Sequence, residues 1–261
     1  MAVSVPRVES AGWHIAVIDV ASVPIDAEHL GPPGAFEGTL WPPVNVLLLT
    51  GHGRTILVDA GPGPLLPIWR DATARDLDDL LFAYEAKPDL LIATHLDWDH
   101  CGGFVAGTWP DALVPAFPNR PVLMPVAAVE EARGDDDPES APARVVAALD
   151  AANLTWEYRD GDEPAPELRL RSAPGHRTGH SILEIGESFV FAADVFHLPE
   201  HVEHPEWDTA FDADPDLGLE TRRMLLGELA DRGATVVVSH LASPGRILRD
   251  GDGFRFEPLS E

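Results

Sequence analysis

Three chemistries are scarce in this chain. Its 261 residues include one cysteine, Cys101, which excludes an internal disulfide and any cysteine-rich zinc module. Its single lysine, Lys87, precedes Pro88, so Schiff-base chemistry has little to work with. Basic residues are few altogether: 18 Lys and Arg face 44 Asp and Glu, a formal charge of −26. So acidic a surface repels polyphosphates and anionic lipid. It argues for no nucleic-acid and no membrane partner, although a local basic groove stays open. Long apolar runs are missing too. Residues 44–49, broken by Asn45, fall far short of the ~18 needed to span a bilayer. The opening Met1-Ala2-Val3-Ser4-Val5-Pro6-Arg7 has no apolar stretch behind a basic start, so the cytoplasm is the expected compartment.

What remains is ordinary for a globular chain: 45% apolar and 24% charged residues, with 22 Gly and 25 Pro marking many loops. At this length a chain buries ~70–75% of its unfolded surface, so one domain over residues 1–261 is expected, with a core that needs no disulfide. No internal repeat is evident. Gly134-Asp135-Asp136-Asp137-Pro138-Glu139 is a like-charge run that reads as a solvated loop. It lacks the spaced pattern of a calcium loop.

Periodicity predicts strands at 13–20, 44–50 and 55–59, the last two joined by Gly51-His52-Gly53. A helix is expected over 71–86, bounded by Pro88, then a strand at 89–94 and a helix at 140–152. Strands follow at 168–173, 181–185 and 189–193. A helix over 216–232 places Leu219, Met224, Leu225 and Leu229 on one side. Strands at 234–239, 246–248 and 254–256 close the chain. Two sets of strands, each with helices, suggest two packed sheets with helices outside.

Eleven histidines are present, unevenly placed. Thr94-His95-Leu96-Asp97-Trp98-Asp99-His100-Cys101-Gly102-Gly103 packs four potential metal ligands into a short stretch where an apolar strand ends. Such placement holds side chains firmly yet accessibly. The paired glycines let backbone pass close by. Further polar groups end later strands: His176 and His180 in Pro174-Gly175-His176-Arg177-Thr178-Gly179-His180, Asp194 after residues 189–193, and His240 after 236–239. Any one could be a hydrogen-bonded cap. Together they indicate a metal site, and imidazole with carboxylate suits first-row divalent ions. Seven candidates are too many for one tetrahedral ion. They suit two, bridged by a carboxylate and a water or hydroxide.

These motifs, in this order, resemble the metallo-β-lactamase superfamily. The likeness runs from Asn45 to the C-terminus and includes Leu57-Val58-Asp59-Ala60-Gly61-Pro62-Gly63. It implies an α/β (α+β) four-layer αβ/βα sandwich of two mixed β-sheets flanked by helices. It further implies that His95, Asp97 and His176 hold a first ion, Asp99, His100 and His240 hold a second, and Asp194 bridges them. Asp59 falls where the family has a buried acid that supports a ligand histidine. One position departs: the family's motif reads His-x-His-x-Asp-His, and here the second histidine is Asp97. Asp97 could ligate directly, act through water, or leave a weak first site and a single ion. Two divalent ions carry +4, and Asp97, Asp99, Asp194 and hydroxide carry −4. The extra carboxylate tilts preference toward manganese or iron, although family habit keeps zinc first.

The run from Asp194-Val195-Phe196-His197 through His201, His204, Trp207 and Phe211-Asp212 resembles the branch holding acyl-homoserine lactonase-like and methyl-parathion-hydrolase-like proteins. His197 stands where some lactonases place a substrate-facing tyrosine. It would donate to a developing oxyanion or leaving group, or else only support its loop. His180 is expected to support the site, His201 and His204 to be loop residues, and Cys101 to be a packed thiol. Trp41, Trp98, Trp109, Phe196 and Trp207 are candidates to line an apolar pocket. Rival motifs fail: Gly179-His180-Ser181-Ile182-Leu183 lacks the last glycine of a nucleophile elbow, residues 51–56 lack the third glycine of a dinucleotide loop, and no Walker loop exists.

The expectation is thus a metal-dependent hydrolase in which Asp99 and metal-bound hydroxide attack an ester or lactone, or a phosphotriester, with help from His197. Its expected partner is a small-molecule substrate, and a homodimer stays open. Alternatives are an iron-dependent sulfur dioxygenase or redox protein of the same fold, and a catalytically degenerate metal-binding scaffold. A nuclease of that fold would need a basic substrate path or an appended nucleic-acid module, and neither is evident in the sequence.

Overall fold

Side-chain alternation decides the layering. In the strand Trp13–Ser22, Trp13, Ile15 and Val17 face one way and Ala16, Ile18 and Val20 the other, and both sets are buried. A strand apolar on both faces belongs to a sheet covered on both sides. The computed structural model describes residues 7–259. The opening segment read above for a leader therefore lies mostly outside the described residues.

The first sheet runs in the order Arg7–Ser10, Trp13–Ser22, Pro43–Gly51, Arg54–Val58, Leu90–Ile92, Val122–Pro125, Thr155–Tyr158, with Thr73–Ala74 also paired to Trp13–Ser22. Pairing is antiparallel up to Arg54–Val58 and parallel beyond. The second sheet orders Leu168–Ser172, Ser181–Ile185, Phe189–Phe191, Thr235–Val237, Gly245–Asp250, Gly253–Pro258. Its one parallel pair joins Phe189–Phe191 to Thr235–Val237. Ile15, Leu47, Leu49, Ile56 and Ile92 of the first sheet meet Leu170, Leu183, Phe189, Phe191 and Val237 of the second. Helices Val126–Gly134 and Ala141–Asp150 cover the first sheet's outer face, and Pro215–Arg232 covers the second's. This is the four-layer sandwich of two mixed sheets. No helix among the described residues is long and apolar enough to cross a membrane.

Several elements differ from the sequence reading. The helix expected over 71–86 begins only at Leu77 and ends at Ala83. The Asp76 side chain accepts from Asp79 N and starts it there, while Thr73–Ala74 is drawn off to pair with Ala21 and Ser22. On Pro215–Arg232 the buried residues are Gly218, Thr221, Arg222, Leu225, Leu226 and Leu229, and Met224 is exposed. The helix spends part of its inner face on an arginine because that arginine serves the site. Helix Val126–Gly134, strand Thr155–Tyr158 and the hairpin Val105–Thr108/Ala112–Pro115 were not anticipated. The acidic run at 134–139 is exposed throughout.

Asn45, which interrupts an apolar strand, has a clear task. Its backbone N–H donates to Ser239 O at 2.8 Å. Its Nδ2 donates to the carbonyls of Val238 (3.1 Å) and Leu241 (2.7 Å). A buried amide with both donors satisfied is tolerated in a core, and here it ties the first sheet to the loop that carries His240.

Candidate metal centre

The site lies where strand ends of both sheets meet. His95 follows strand Leu90–Ile92, and Asp99 and His100 lie on the short helix Trp98–Cys101, with Asp97 immediately before it. Gly102 and Gly103 then run against residues 60–62: a Cβ there would stand 2.0 Å from Pro62 O or 2.1 Å from Ala60 O. Only glycine allows that approach, and it lets Ala60 N donate to His100 O and Gly103 N to Gly61 O. From the second sheet come His176, Asp194 and His240.

All seven sequence candidates are brought together. Asp194 Oδ2 is central: it lies 3.1 Å from His240 Nε2, 3.3 Å from His100 Nε2, 3.5 Å from His176 Nε2 and 3.8 Å from His95 Nε2. Asp97 Oδ2 is 3.4 Å from His176 Nε2, and Asp99 Oδ2 is 3.8 Å from His240 Nε2. Two triads with no residue in common fit a cation each: His95, Asp97 and His176, and Asp99, His100 and His240. His95 with His100 and Asp194 forms a third group between them, and His176, Asp194 and His197 a fourth.

The outer nitrogens are anchored so that the inner ones face the centre. His100 Nδ1 donates to Asp59 Oδ2 (3.0 Å), His240 Nδ1 to Pro43 O (2.8 Å) and His176 Nδ1 to Asp212 Oδ1 (3.2 Å). Thr94 Oγ1 donates to Asp59 Oδ2, which leaves it to accept from His95 Nδ1 at 3.0 Å. Each partner engages Nδ1 and so directs Nε2 at the centre. Asp59 also accepts from Thr94 N and is fully buried. Asp59 (φ +58°) and Ala193, just before Asp194 (φ +46°), hold left-handed backbone. Such strain is characteristic of functional positions.

The residues fit a metal. His95 Nε2, His100 Nε2, His176 Nε2 and Asp194 Oδ1 are buried without a hydrogen-bond partner. Each orphan of this kind costs ~1–3 kcal/mol, and four in one cluster suit cations, not the fold. Protons partly do the cations' work. Burial would lower His176, but Asp212, Asp97 and Asp194 raise it to about 9. His100 and His240 are likewise raised by Asp194 against the effect of burial. Burial would raise Asp97 and Asp194, yet their histidine neighbours, and Arg177 for Asp97, hold both carboxyls far below the usual range. Burial raises Asp99 and lowers His95 and His197.

His197 lies at the cluster, its Nε2 3.7 Å from Asp194 Oδ2 and its ring stacked on His240 at 5.4 Å. His180 is lowered by burial to about 4. Its Nε2 accepts from Asp194 N and its Nδ1 donates to Ala173 O, so it braces the Asp194 backbone. His201 is not a loop residue: it is buried in helix Glu200–Glu203, where Nδ1 accepts from His197 N and Nε2 donates to Leu30 O. His204 stacks on Trp207 away from the cluster. Cys101 is buried and donates to Leu96 O.

A cavity of about 160 Å³ opens above the cluster, walled by Val23, Ile25, Trp69, Trp98 and Phe211, with His197 and Arg177 at its edge. Trp69 stacks on Trp98 at 6.1 Å. Of the five aromatic residues proposed from sequence, Trp98 alone lines this cavity. Trp41 is exposed, Phe196 is sealed in the core under the second sheet, Trp109 packs under the first, and Trp207 joins Phe36 and His204. Trp69 and Phe211 take their places because the chain folds back over the site.

Sequence reasoning missed three supporting groups. Asp212 bridges His176 to the buried Arg222, whose Nη1 donates to its Oδ2 at 2.8 Å. Arg177 Nε donates to Asp97 Oδ1 at 2.7 Å. Arg177 lies inside the 174–180 motif and Asp212 inside the 194–212 run, yet neither was given a role there, and nothing local pointed to Arg222.

Comparison with known proteins finds the same fold. The dizinc quorum-quenching lactonase AidC, solved with a product N-hexanoyl-L-homoserine, is similar at TM-score 0.82 and 20% identity, over 98% of both chains. The hydrolase AbOPH is similar at 0.81 and 20%, over 100% of this chain and 99% of that one. A probable metal-dependent hydrolase from Staphylococcus aureus is similar at 0.80 and 17%, over 97% and 99%. These likenesses speak for the fold. Residues 39–240, which carry the hairpin and every ligand candidate, match the metallo-beta-lactamase superfamily model, and the chain belongs to that superfamily.

Proposed function

We propose that the protein is a metal-dependent hydrolase that cleaves an ester or lactone of a small molecule, with two zinc ions as the first choice of metal. The observation that carries this reading is the cluster of partnerless His95, His100 and His176 Nε2 and Asp194 Oδ1 atoms, two of whose residues, His176 and Asp194, line a small apolar-walled cavity. His95, Asp97 and His176 would hold one ion, Asp99, His100 and His240 the other, with Asp194 between them. When bound, such ions make water acidic at neutral pH and polarise a carbonyl oxygen.

The chain's own groups do the rest. Asp99, whose carboxyl burial makes more basic, accepts a proton from the attacking water and orients it. Val23, Ile25, Trp69, Trp98 and Phe211 exclude bulk water and take up an apolar acyl portion. His197 is kept neutral by burial, so it donates one N–H to the oxygen that gains charge as the carbonyl opens. The lactonase neighbours support a lactone over a phosphotriester. The acidic surface supports a neutral or cationic substrate and no nucleic acid. A single domain acting in the cytoplasm completes the proposal.

Elemental analysis combined with a panel of lactones, aryl esters and phosphotriesters tests it. Purified protein is expected to retain one to two first-row ions, chelation to abolish turnover, and reloading to restore it. His176→Ala should lower metal content. Full loading and turnover in that variant would overturn the assignment.

A further inference from the structure

The charge of the first ligand triad is set by a pair of residues. Asp97 divides its two oxygens: Oδ1 accepts from Arg177 Nε at 2.7 Å, and Oδ2 faces His176 Nε2 at 3.4 Å and His95 Nε2 at 3.9 Å. Although about a third of its side chain is exposed (35%), Arg177 is pinned. Its Nη1 donates to the carbonyls of His176 and Phe211. Three acceptors from three segments therefore fix one guanidinium, and its orientation in turn fixes the Asp97 carboxylate. A guanidinium keeps its proton at any working pH. Asp97 and Arg177 together present a neutral unit with one free oxygen donor.

We propose that Arg177 is the positioning residue that makes Asp97 a usable metal ligand: it aims Oδ2 and cancels the carboxylate's charge. The first position then attracts a cation as a set of neutral donors would. The sum of charges around the centre rises by one unit over a count of carboxylates alone. This inference rests on the metal-dependent reading above. It predicts that the two residues act as a unit, because a unit charge a few ångströms from a divalent cation, only partly screened, is enough to move an affinity tenfold.

The test is a double-mutant cycle read by metal content and by chelator competition for zinc and for manganese, in wild type, Asp97→His, Arg177→Gln and the double variant. Asp97→His should leave an unpaired cation at the site and weaken retention of one ion at least tenfold. Adding Arg177→Gln to it should recover most of that loss. Arg177→Gln alone should shift the zinc-to-manganese affinity ratio at least threefold toward manganese, since an uncompensated carboxylate is the harder donor. Arg177→Lys keeps the charge without the fixed fork and is expected to shift the ratio less than Arg177→Gln does, and circular dichroism of both variants guards against one that fails to fold. Equal effects of Arg177→Gln in both backgrounds, with wild type normally loaded, would overturn this inference alone. Wild type that retains no metal under any loading would overturn the metal reading and this inference with it.

Discussion

The two candidate ligand triads are held by different kinds of support. On one side His100 and His240 lean on the sheets themselves: Asp59 at the end of strand Arg54–Val58, and Pro43 O at the start of Pro43–Gly51. On the other side His176 and Asp97 lean on charged side chains from loops and a helix: Asp212 backed by Arg222, and Arg177. The first kind of support is fixed by the same hydrogen bonds that make the sheet. The second depends on ion pairs, one of them part exposed. The difference predicts unequal retention: one position close to permanent, the other exchangeable.

The largest expected effect comes from breaking the loop-side support. Asp212→Ala would strand Arg222, a buried arginine, without its carboxylate. Removing one partner of such a pair costs about 3–5 kcal/mol. Urea unfolding of chelated protein should show that loss, and a cost under 1 kcal/mol would deny Asp212 its bridging role. Next is Asp59→Asn, which keeps the backbone conformation but weakens the grip on His100. Metal affinity at the sheet-side position should fall ~10–100-fold, as measured by chelator competition. A smaller loss is expected at the loop-side position, because Asp59 also anchors His95 through Thr94; loss of the loop-side ion first would invert the contrast.

A pH series sharpens the same contrast. In chelated protein His176 is raised to about 9 from an ordinary 6.5. The stability it contributes is fully present below about 6.5 and is lost as pH climbs through 9. His180, lowered to about 4, works in the opposite sense: its contribution is lost as pH falls from 6.5 toward 4. Loaded protein should reverse the first trend, because an ion must displace the proton of His176 and binds more tightly as pH rises. Urea midpoints of loaded and chelated protein measured between pH 6 and 9 should therefore diverge, and parallel curves would remove His176 from the ligands. The smallest effects concern the cavity wall. Trp69→Leu should raise KM several-fold with little change in kcat. Trp41→Ala, at an exposed ring, should leave KM unchanged and stability within about 0.5 kcal/mol.

How much of this was legible follows from how far each interaction reaches along the chain. His95, Asp97, Asp99 and His100 announce themselves within one short segment, and Asp194 and His240 are conspicuous as polar ends of apolar strands. The sheets were legible because apolar runs bounded by turns leave few alternatives. Asp212 was not, because its partners His176 and Arg222 are 36 and 10 residues away and nothing local distinguishes it from other acids in an acidic loop. Arg177 was adjacent to a motif residue, yet its partner Asp97 is 80 positions distant. Trp69 required knowing that residues 63–69 fold over the site. The overlong helix at 71–86 arose because Leu77, Leu80, Leu81 and Tyr84 repeat correctly while the preceding residues are claimed by a neighbouring strand.

Asn45 has one further consequence. The carbonyls it grips belong to residues 238, 239 and 241, and those its side chain holds are 193 and 196 positions further along the chain. Without that loop in place, the His240 imidazole is missing from the cage and the amide has nothing to hold. The tie and the last candidate ligand therefore form together, so the cage can close only when the two sheets have met.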